Sequence, residues 1–590
     1  MRIQHTLLLS SILLSFMPSL FAQDGKMKLS GSVQSDWLVA ENDEAIGANK
    51  DDYRGTLLGN TYINLNFDSK YVTAGVRFET MEKPLPGYEN LADTKPFYGT
   101  GLPYFQVTAS NHKWIEATAG TFYEQFGSGF VLRAYEERTI GIDNSILGGR
   151  IVLSPFKGVR MKMLGGIQRY HFSWNENNPV FGADLELELS QWSKALTEKG
   201  HVLTFGVSGV TRYDDETTRL FVQTSGQSIY NDPVTNLPVI YVTAKDYSLN
   251  MPKYTSAIDL RLQWQHSGYN ILAEYAMKSH DPSADNSYIY RHGSALMLSA
   301  SYSKRGFSAI LQAKRSEDMG FRSDRTASPT VTSLYLNHQP AFAYQHTYTL
   351  ATQYPYATQM DGEWAFQGEV SYRFKRGTPL GGKYGTLLRL NASHIRGLDK
   401  QPVENSILGA SGTKGYDASF FGMSDQVYYQ DINLTMEKKL NKKWKLTAMY
   451  INQQYNISVI EEGAKADDTN EIVKANIFVG DASYVHNPKF AIRLEGQYLI
   501  TKQDEGDWAY ALAEFSFLKD YMISISDEYN TGIHGGKDTH YFNFLGVWTY
   551  KSSRLQLGYG RTSEGLNCTG GVCRKVPAQR GFTASWYYVF

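Results

Sequence analysis

Two cysteines and thirteen histidines are spread through 590 residues. His112, His171, His201, His266, His280 and His292 stand apart from one another, and no G-x-S-x-G nucleophile elbow occurs. Carboxylates do recur at a spacing that matters. In ADLELELS, Asp184, Glu186 and Glu188 fall on alternate positions, so a strand would place all three on one face. Such a row suits acid–base work, but the sequence adds no nucleophile beside it. Lining of a water-filled pore accounts for it equally. The same holds for Asp259 and Arg261 in IDLRLQWQ, Arg389 in LRLNAS, and Arg493 with Glu495 in FAIRLEGQY. Together these groups set a local field of both signs without strong net selectivity. The expectation is a protein that is not an enzyme and carries no cofactor. Cys568 and Cys573 are separated by four residues in NCTGGVC. Two thiolates lack the remaining ligands zinc wants, so a disulfide, and no metal, is the reading for an exported chain.

Strands must position these charges. In IDLRLQWQ, Ile258, Leu260, Leu262 and Trp264 alternate with Asp259, Arg261, Gln263 and Gln265. LRLNAS, INLTME and FAIRLEGQY repeat the pattern, with one face free of charge and the other bearing both signs. Periodicity alone does not tell a lipid-facing sheet from a soluble sandwich. Connection lengths discriminate better. Short turns near Asp68–Lys70, Asn111–His112, Ser267–Gly268, Lys304–Arg305 and Ser552–Ser553 alternate with long links around 39–55, 80–102, 123–147, 214–250, 317–361, 396–426, 456–470 and 564–578. Tight turns at one barrel end and long loops at the other produce this rhythm. The expected fold is all-β, a single large antiparallel transmembrane barrel of about 24 strands, in a range of roughly 22–26.

The start of the chain agrees. MRIQHTLLLSSILLSFMPSLFAQ has a positive Arg2, an apolar run and Ala22 at a small-residue cleavage position, which reads as a secretory signal peptide over residues 1–22. The run is shorter than the ~20 residues of a membrane-spanning helix. Residues 23–590 would then be the barrel, in an outer membrane, with membrane lipid as its surroundings. Formal net charge is −1, so no nucleic-acid partner is expected. Strands begin almost at the cleavage site, so no folded plug domain is expected ahead of the barrel.

The chain ends in RGFTASWYYVF. Trp586, Tyr588 and Phe590 share one face with Phe582, a ladder suited to lipid on a strand that pairs with the first strand and removes an exposed edge. A final Phe after alternating aromatics resembles the signal read by bacterial barrel-assembly machinery, which would be a partner during biogenesis.

The segment FGSGFVLRAYEERTIGIDNSILGGRI, residues 126–151, is odd for a surface loop. It mixes apolar residues with Arg133, Glu136, Glu137, Arg138, Asp143 and Arg150. Self-compensating charge and apolar bulk suit a segment at 123–147 folded into a wet lumen as a constriction; they also suit a cap on the barrel mouth. Through Phe126-Gly127-Ser128-Gly129, Arg133-Ala134-Tyr135 and Gly141-Ile142-Asp143-Asn144 running into Gly148-Gly149-Arg150, the stretch resembles a group of Bacteroidota outer-membrane proteins of unknown function. That resemblance implies an outer-membrane barrel and supplies no catalytic residues.

Three functions remain open. One is a passive or gated channel for small solutes. Another is a non-catalytic subunit of an envelope assembly, export or lipoprotein-display complex, with envelope protein partners. A third is surface adhesion or glycan binding through loop tyrosines such as Tyr344, Tyr348, Tyr354 and Tyr356, or Tyr230, Tyr241 and Tyr247, although packing at the membrane boundary also accounts for these.

Overall fold

The computed structural model describes residues 27–53, 55–88, 97–214, 219–231, 238–328, 332–403, 411–461 and 472–590, with backbone alone for 219–231 and 238–248. The expected leader, residues 1–22, lies outside the described residues, as do the side chains of Tyr230, Tyr241 and Tyr247.

Burial along the strands is inside-out. In Tyr254–His266, Ile258, Leu260 and Leu262 are 51%, 47% and 48% exposed, while Asp259 and Arg261 between them are buried. A soluble sandwich would bury its leucines against a second sheet. Here the apolar face has no protein partner and the polar face is packed, which is the arrangement hydrocarbon surroundings demand. Outward aromatic residues gather near the short turns, among them Trp114, Phe156, Tyr269, Tyr372, Trp444, Tyr521 and Trp548, as in the girdle of a membrane barrel.

The sheet is a closed antiparallel barrel of 24 wall strands, each paired with its neighbours in the chain. The first, Lys28–Glu41, pairs with the last, Gln579–Val589, from Ser32 opposite Val589 to Glu41 opposite Arg580. Gly31 and Phe590 extend that seam by exchanging two backbone hydrogen bonds of 3.0 Å. A Cβ at Gly31 would meet the Phe590 ring at 2.5 Å, so the terminal ring requires a glycine opposite it. Trp586, Tyr588 and Phe590 stack in sequence, with centroids 6.1 and 5.8 Å apart, on the outward face.

Connections follow the expected rhythm at the short end, including a longer one at 189–201 that holds the helical turns Leu189–Trp192 and Lys194–Glu198. At the other end two expectations need correction. The link expected at 396–426 is largely wall, because Thr386–Pro402 and Tyr416–Lys439 carry their pairing far beyond their neighbours. The link at 214–250 holds a paired hairpin, Arg219–Asn231 with Pro238–Asn250. Both stretches are rich in β-prone residues, and strand pairing satisfies backbone groups that an irregular loop would leave to water.

Part of the lumen is filled by returned loops. Phe126, Phe130, Val131 and Leu132 from one loop join Met319, Phe321, Leu336, Phe342 and Leu350 from another in a single buried apolar cluster. The wall meets them with small inward residues, Ala257, Ala276, Ala295 and Ala365. Burying one Phe or Leu side chain stabilises by about 1.5–3 kcal/mol, whereas ordering one backbone residue costs about 1–2 kcal/mol. A polar loop would stay in solvent; these loops hold enough apolar bulk to dock inside.

Candidate functional site

Two loop segments enter the barrel. The first, 123–145, forms two small hairpins, Glu124–Phe126 with Leu132–Ala134 and Glu136–Glu137 with Ile142–Asp143. Its tip is Gly127-Ser128. Gly127 adopts φ +52, and a Cβ there would meet Glu274 Oε1 at 2.6 Å and Asp259 Oδ2 at 2.8 Å. Ser128 Oγ donates to Glu274 Oε2 at 2.5 Å, and its backbone N–H donates to Glu274 Oε1 at 3.0 Å. The wall beneath is a buried ion cluster: Arg261 contacts Asp184, lies 2.9 Å from Asp259 Oδ2 and reaches Glu186 Oε1 at 3.3 Å. Charges expected to line open water thus form a socket for the inserted tip.

The remaining charges of this segment are also partnered. Asp143 accepts from Arg169 at 2.6 Å and from Tyr123 at 3.0 Å, and it pairs with Arg77. Glu136 lies 3.1 Å from Arg77 and 2.6 Å from Arg138. Arg138 stacks over Tyr62 at 4.1 Å, and Arg133 over Tyr135 at 4.6 Å. Glu137 caps its own turn by accepting from Thr139. Arg150 sits in the wall strand Ile146–Leu153 and bridges Glu116 and Glu124. Arg77, Glu79, Arg169 and Glu274 were missed by sequence reasoning. Their signal was a charge at an inward alternate position, as in Arg77 and Glu79, two residues apart in VRFETM. Glu188 is placed elsewhere, at a strand end, where it accepts from Gln191 at 2.7 Å in the 189–201 connection.

The second segment, 318–361, carries no regular strand among its described residues and is held from several sides. Asn337 Nδ2 donates to Phe130 O at 2.9 Å and Met319 O at 2.7 Å, stitching the two insertions together. Where it leaves the wall, burial pushes the Asp318 carboxyl up to about 7, with Lys278 opposing and Asp361 reinforcing. Nearby, burial also works against the Asp281 charge, but Arg212 and Lys278 outweigh it and hold this carboxyl down at about 2. Burial, reinforced by Arg133, pushes His338 down to about 4. Tyr354 and Tyr356 are each 5% exposed and pack against Tyr455 and Tyr429. They belong neither to a membrane girdle nor to an outer glycan-binding surface.

Three cavities follow one another along residues 341–356. One of 360 Å³ lies beneath Tyr344–Tyr348. Its wall residues are near the short turns: Arg389 is the fourth residue of Thr386–Pro402, Lys445 the second of Trp444–Asn456 and Arg493 the fourth of Phe490–Ile500. A second, of 210 Å³, shares Tyr344, Gln345 and His346 with the first. A third, of 840 Å³, opens among the loops and shares Thr352, Tyr354, Leu566 and Asn567 with the second. Arg389 and Arg493 therefore line the lower cavity, apart from the Asp184–Arg261 socket. Arg493 lies 2.8 Å from Asp481 and pairs with Glu495. Cys568 and Cys573 are joined in a disulfide within the hairpin Gly565–Thr569 and Val572–Val576, beside the upper two cavities. Among the described residues no group of three or more His, Cys, Asp or Glu side chains is placed to hold a metal ion.

Solved structures similar to this chain include the siderophore receptor PirA from Pseudomonas aeruginosa, at 9% identity and TM-score 0.39, covering 96% of this chain and 81% of that one. The translocation pore of the P pilus usher PapC matches at 9% identity and TM-score 0.38, covering 96% and 99%. OccAB3 of Acinetobacter baumannii matches at 9% identity and TM-score 0.33, covering 96% and 99%. No curated protein matches the sequence. A family model matches residues 3–590, and the chain belongs to that family, DUF6029, a family of unknown function.

Proposed function

We propose that this protein is an outer-membrane channel for small polar solutes, closed at rest by its own inserted loops and opened by movement of residues 341–356. The apolar belt, the girdle near the short turns and the leader-like N-terminus support the location. The observation that carries the channel reading is the succession of cavities, 360, 210 and 840 Å³, that shares lining residues from the short-turn end to the loop end. Segment 341–356 lies along it, with His346 Nε2 on Asp431 Oδ2 at 2.8 Å and the Leu350 N–H on Gln497 Oε1 at 3.0 Å. Further single hydrogen bonds tie it to the wall, from Arg389 to Tyr344 OH at 3.3 Å, Gln353 to Glu528 at 2.9 Å and Gln453 to Tyr354 O at 3.3 Å, but the segment carries no arginine, whereas 123–145 is locked by the Arg77, Arg169 and Arg261 clusters. Opening therefore belongs to 341–356. Planar-bilayer recordings of the purified full-length protein test it. Replacing 343–353 with a Gly-Ser linker should raise conductance and open time over the intact chain. A replaced protein that remains folded and silent would overturn the proposal.

A further inference from the structure

We propose that the 360 Å³ cavity beneath Tyr344–Tyr348 is a binding site for an uncharged, hydroxyl-rich solute of sugar size. The inference rests on the reading of the lumen as a passage and names what the passage selects. Its volume lies within the ~300–1,000 Å³ of small-molecule sites.

The charges at the cavity are already matched. Arg389 lies 3.4 Å from Glu369, Lys445 2.9 Å from Glu437, and Arg493 2.8 Å from Asp481. A charged ligand would therefore find no unmatched charge and would have to compete with a partner already in place. The polar lining outside these ion pairs is made largely of amide and hydroxyl side chains, Gln345, Thr347, Thr435, Thr447 and Ser483. His346 has its side chain 3% exposed; its Nε2 meets Asp431 while its Nδ1, on a residue that lines the cavity, has no partner. Thr435, 6% exposed and also lining the cavity, has no partner for Oγ1. Buried polar atoms of native proteins are otherwise hydrogen-bonded, and a hydroxyl, which both donates and accepts, suits an imidazole nitrogen and a threonine alike. Tyr344 and Tyr348 add two rings to the lining, apolar faces with polar tips, against which the C–H face of a pyranose can lie. Arg389 Nη1 donates to Tyr344 OH at 3.3 Å and fixes one of them.

Isothermal titration of the full-length protein in detergent, with glucose and maltose as probes and glucuronate and glucosamine as charged comparators, tests the site. Saturable binding of a neutral sugar is expected, with both charged comparators weaker by about tenfold. Thr435→Val, which keeps shape and removes the hydroxyl, should weaken binding by about five- to tenfold, and Tyr348→Ala should weaken it further. Heat-modified gel mobility confirms that each variant retains the barrel. No saturable heat with either neutral sugar, heat explained by water exchange alone, equal affinity for the charged sugars, or unchanged affinity in both variants would overturn the proposal. Sugar binding in a protein whose linker variant stays silent in bilayers would fault the channel reading and leave the site standing. Conduction without binding would do the reverse.

Discussion

At the scale of single residues, the inserted loops are held by groups whose protonation opposes one another. Asp318, with its carboxyl raised to about 7, favours the docked state when protonated. Its contribution is present at acid pH and is lost as pH rises from the ordinary carboxylate value through about 7. His338, lowered to about 4, has the opposite sign, because the buried imidazole is neutral and donates its Nε2–H to Gly570 O at 2.9 Å without needing a charge. Its contribution is present at neutral pH and is lost as pH falls from the ordinary imidazole value toward about 4. Between pH 5 and 8 each slope amounts to about 2 kcal/mol, and the two run in opposite directions. Single variants uncover the two slopes. Asp318→Asn should leave loops that loosen on acidification, and His338→Gln loops that loosen on alkalinisation. Hydrogen exchange over 318–342, corrected for intrinsic rates, reads both; slopes of the same sign in the two variants would refute the assignment.

At the scale of elements, the disulfide hairpin Gly565–Thr569 and Val572–Val576 couples the inserted segments. The Thr358 N–H donates to Gly571 O at 3.0 Å, Arg574 donates to Thr332 Oγ1 at 2.8 Å, and Asn567 reaches Thr139 O at 3.4 Å. Removing the crosslink with Cys568→Ser and Cys573→Ser frees a short loop, worth about 2 kcal/mol in chain entropy. The expected result is faster proteolytic cleavage within 563–578 and 332–343, with the heat-modified mobility of the barrel unchanged; loss of that mobility would show that the hairpin supports the wall itself. The wall was legible in the sequence because strand alternation is local: Ile258, Leu260 and Leu262 announce an outward face within a few residues. The closing pair was legible for the same reason at Trp586, Tyr588 and Phe590. The filling of the lumen by 318–361 was not. Phe321, Leu336, Phe342 and Leu350 follow no helix or strand period, and their partners, such as Phe130 and Phe126, lie far away in the chain. The partial exception is 126–151, where apolar bulk beside balanced charge singled out a segment unfit for the surface without fixing which wall residues receive it. The Asp184–Arg261 row was found but read as water-lined, because alternation tells which face a charge takes and nothing about what packs against it.

At the scale of the whole molecule, the barrel is inverted relative to a soluble protein: leucines outward, ion pairs inward, and a core made of returned loops. That inversion leaves the two ends of the cavity series with different fields. The upper cavity is lined by five carboxylates, Glu461, Asp504, Glu505, Glu528 and Glu564, against two lysines, Lys537 and Lys575. Lys537 pairs with Glu505, and burial pushes the Glu461 carboxyl up, which reduces the field without reversing its sign. The lower cavity pairs each of its cations with a carboxylate. Any conducting state therefore has a negative mouth above a balanced interior, and ions are selected at the mouth. Under an about tenfold KCl gradient the reversal potential should indicate preference for potassium over chloride. Glu564→Gln with Asp504→Asn should reduce that preference, and so should salt near 1 M, where the screening length falls to about 3 Å. In the proposed channel, neutral sugars would feel no such barrier on the way to the lower cavity. A chloride preference, or a potassium preference unmoved by both the double substitution and high salt, would place the ion path somewhere other than this series of cavities.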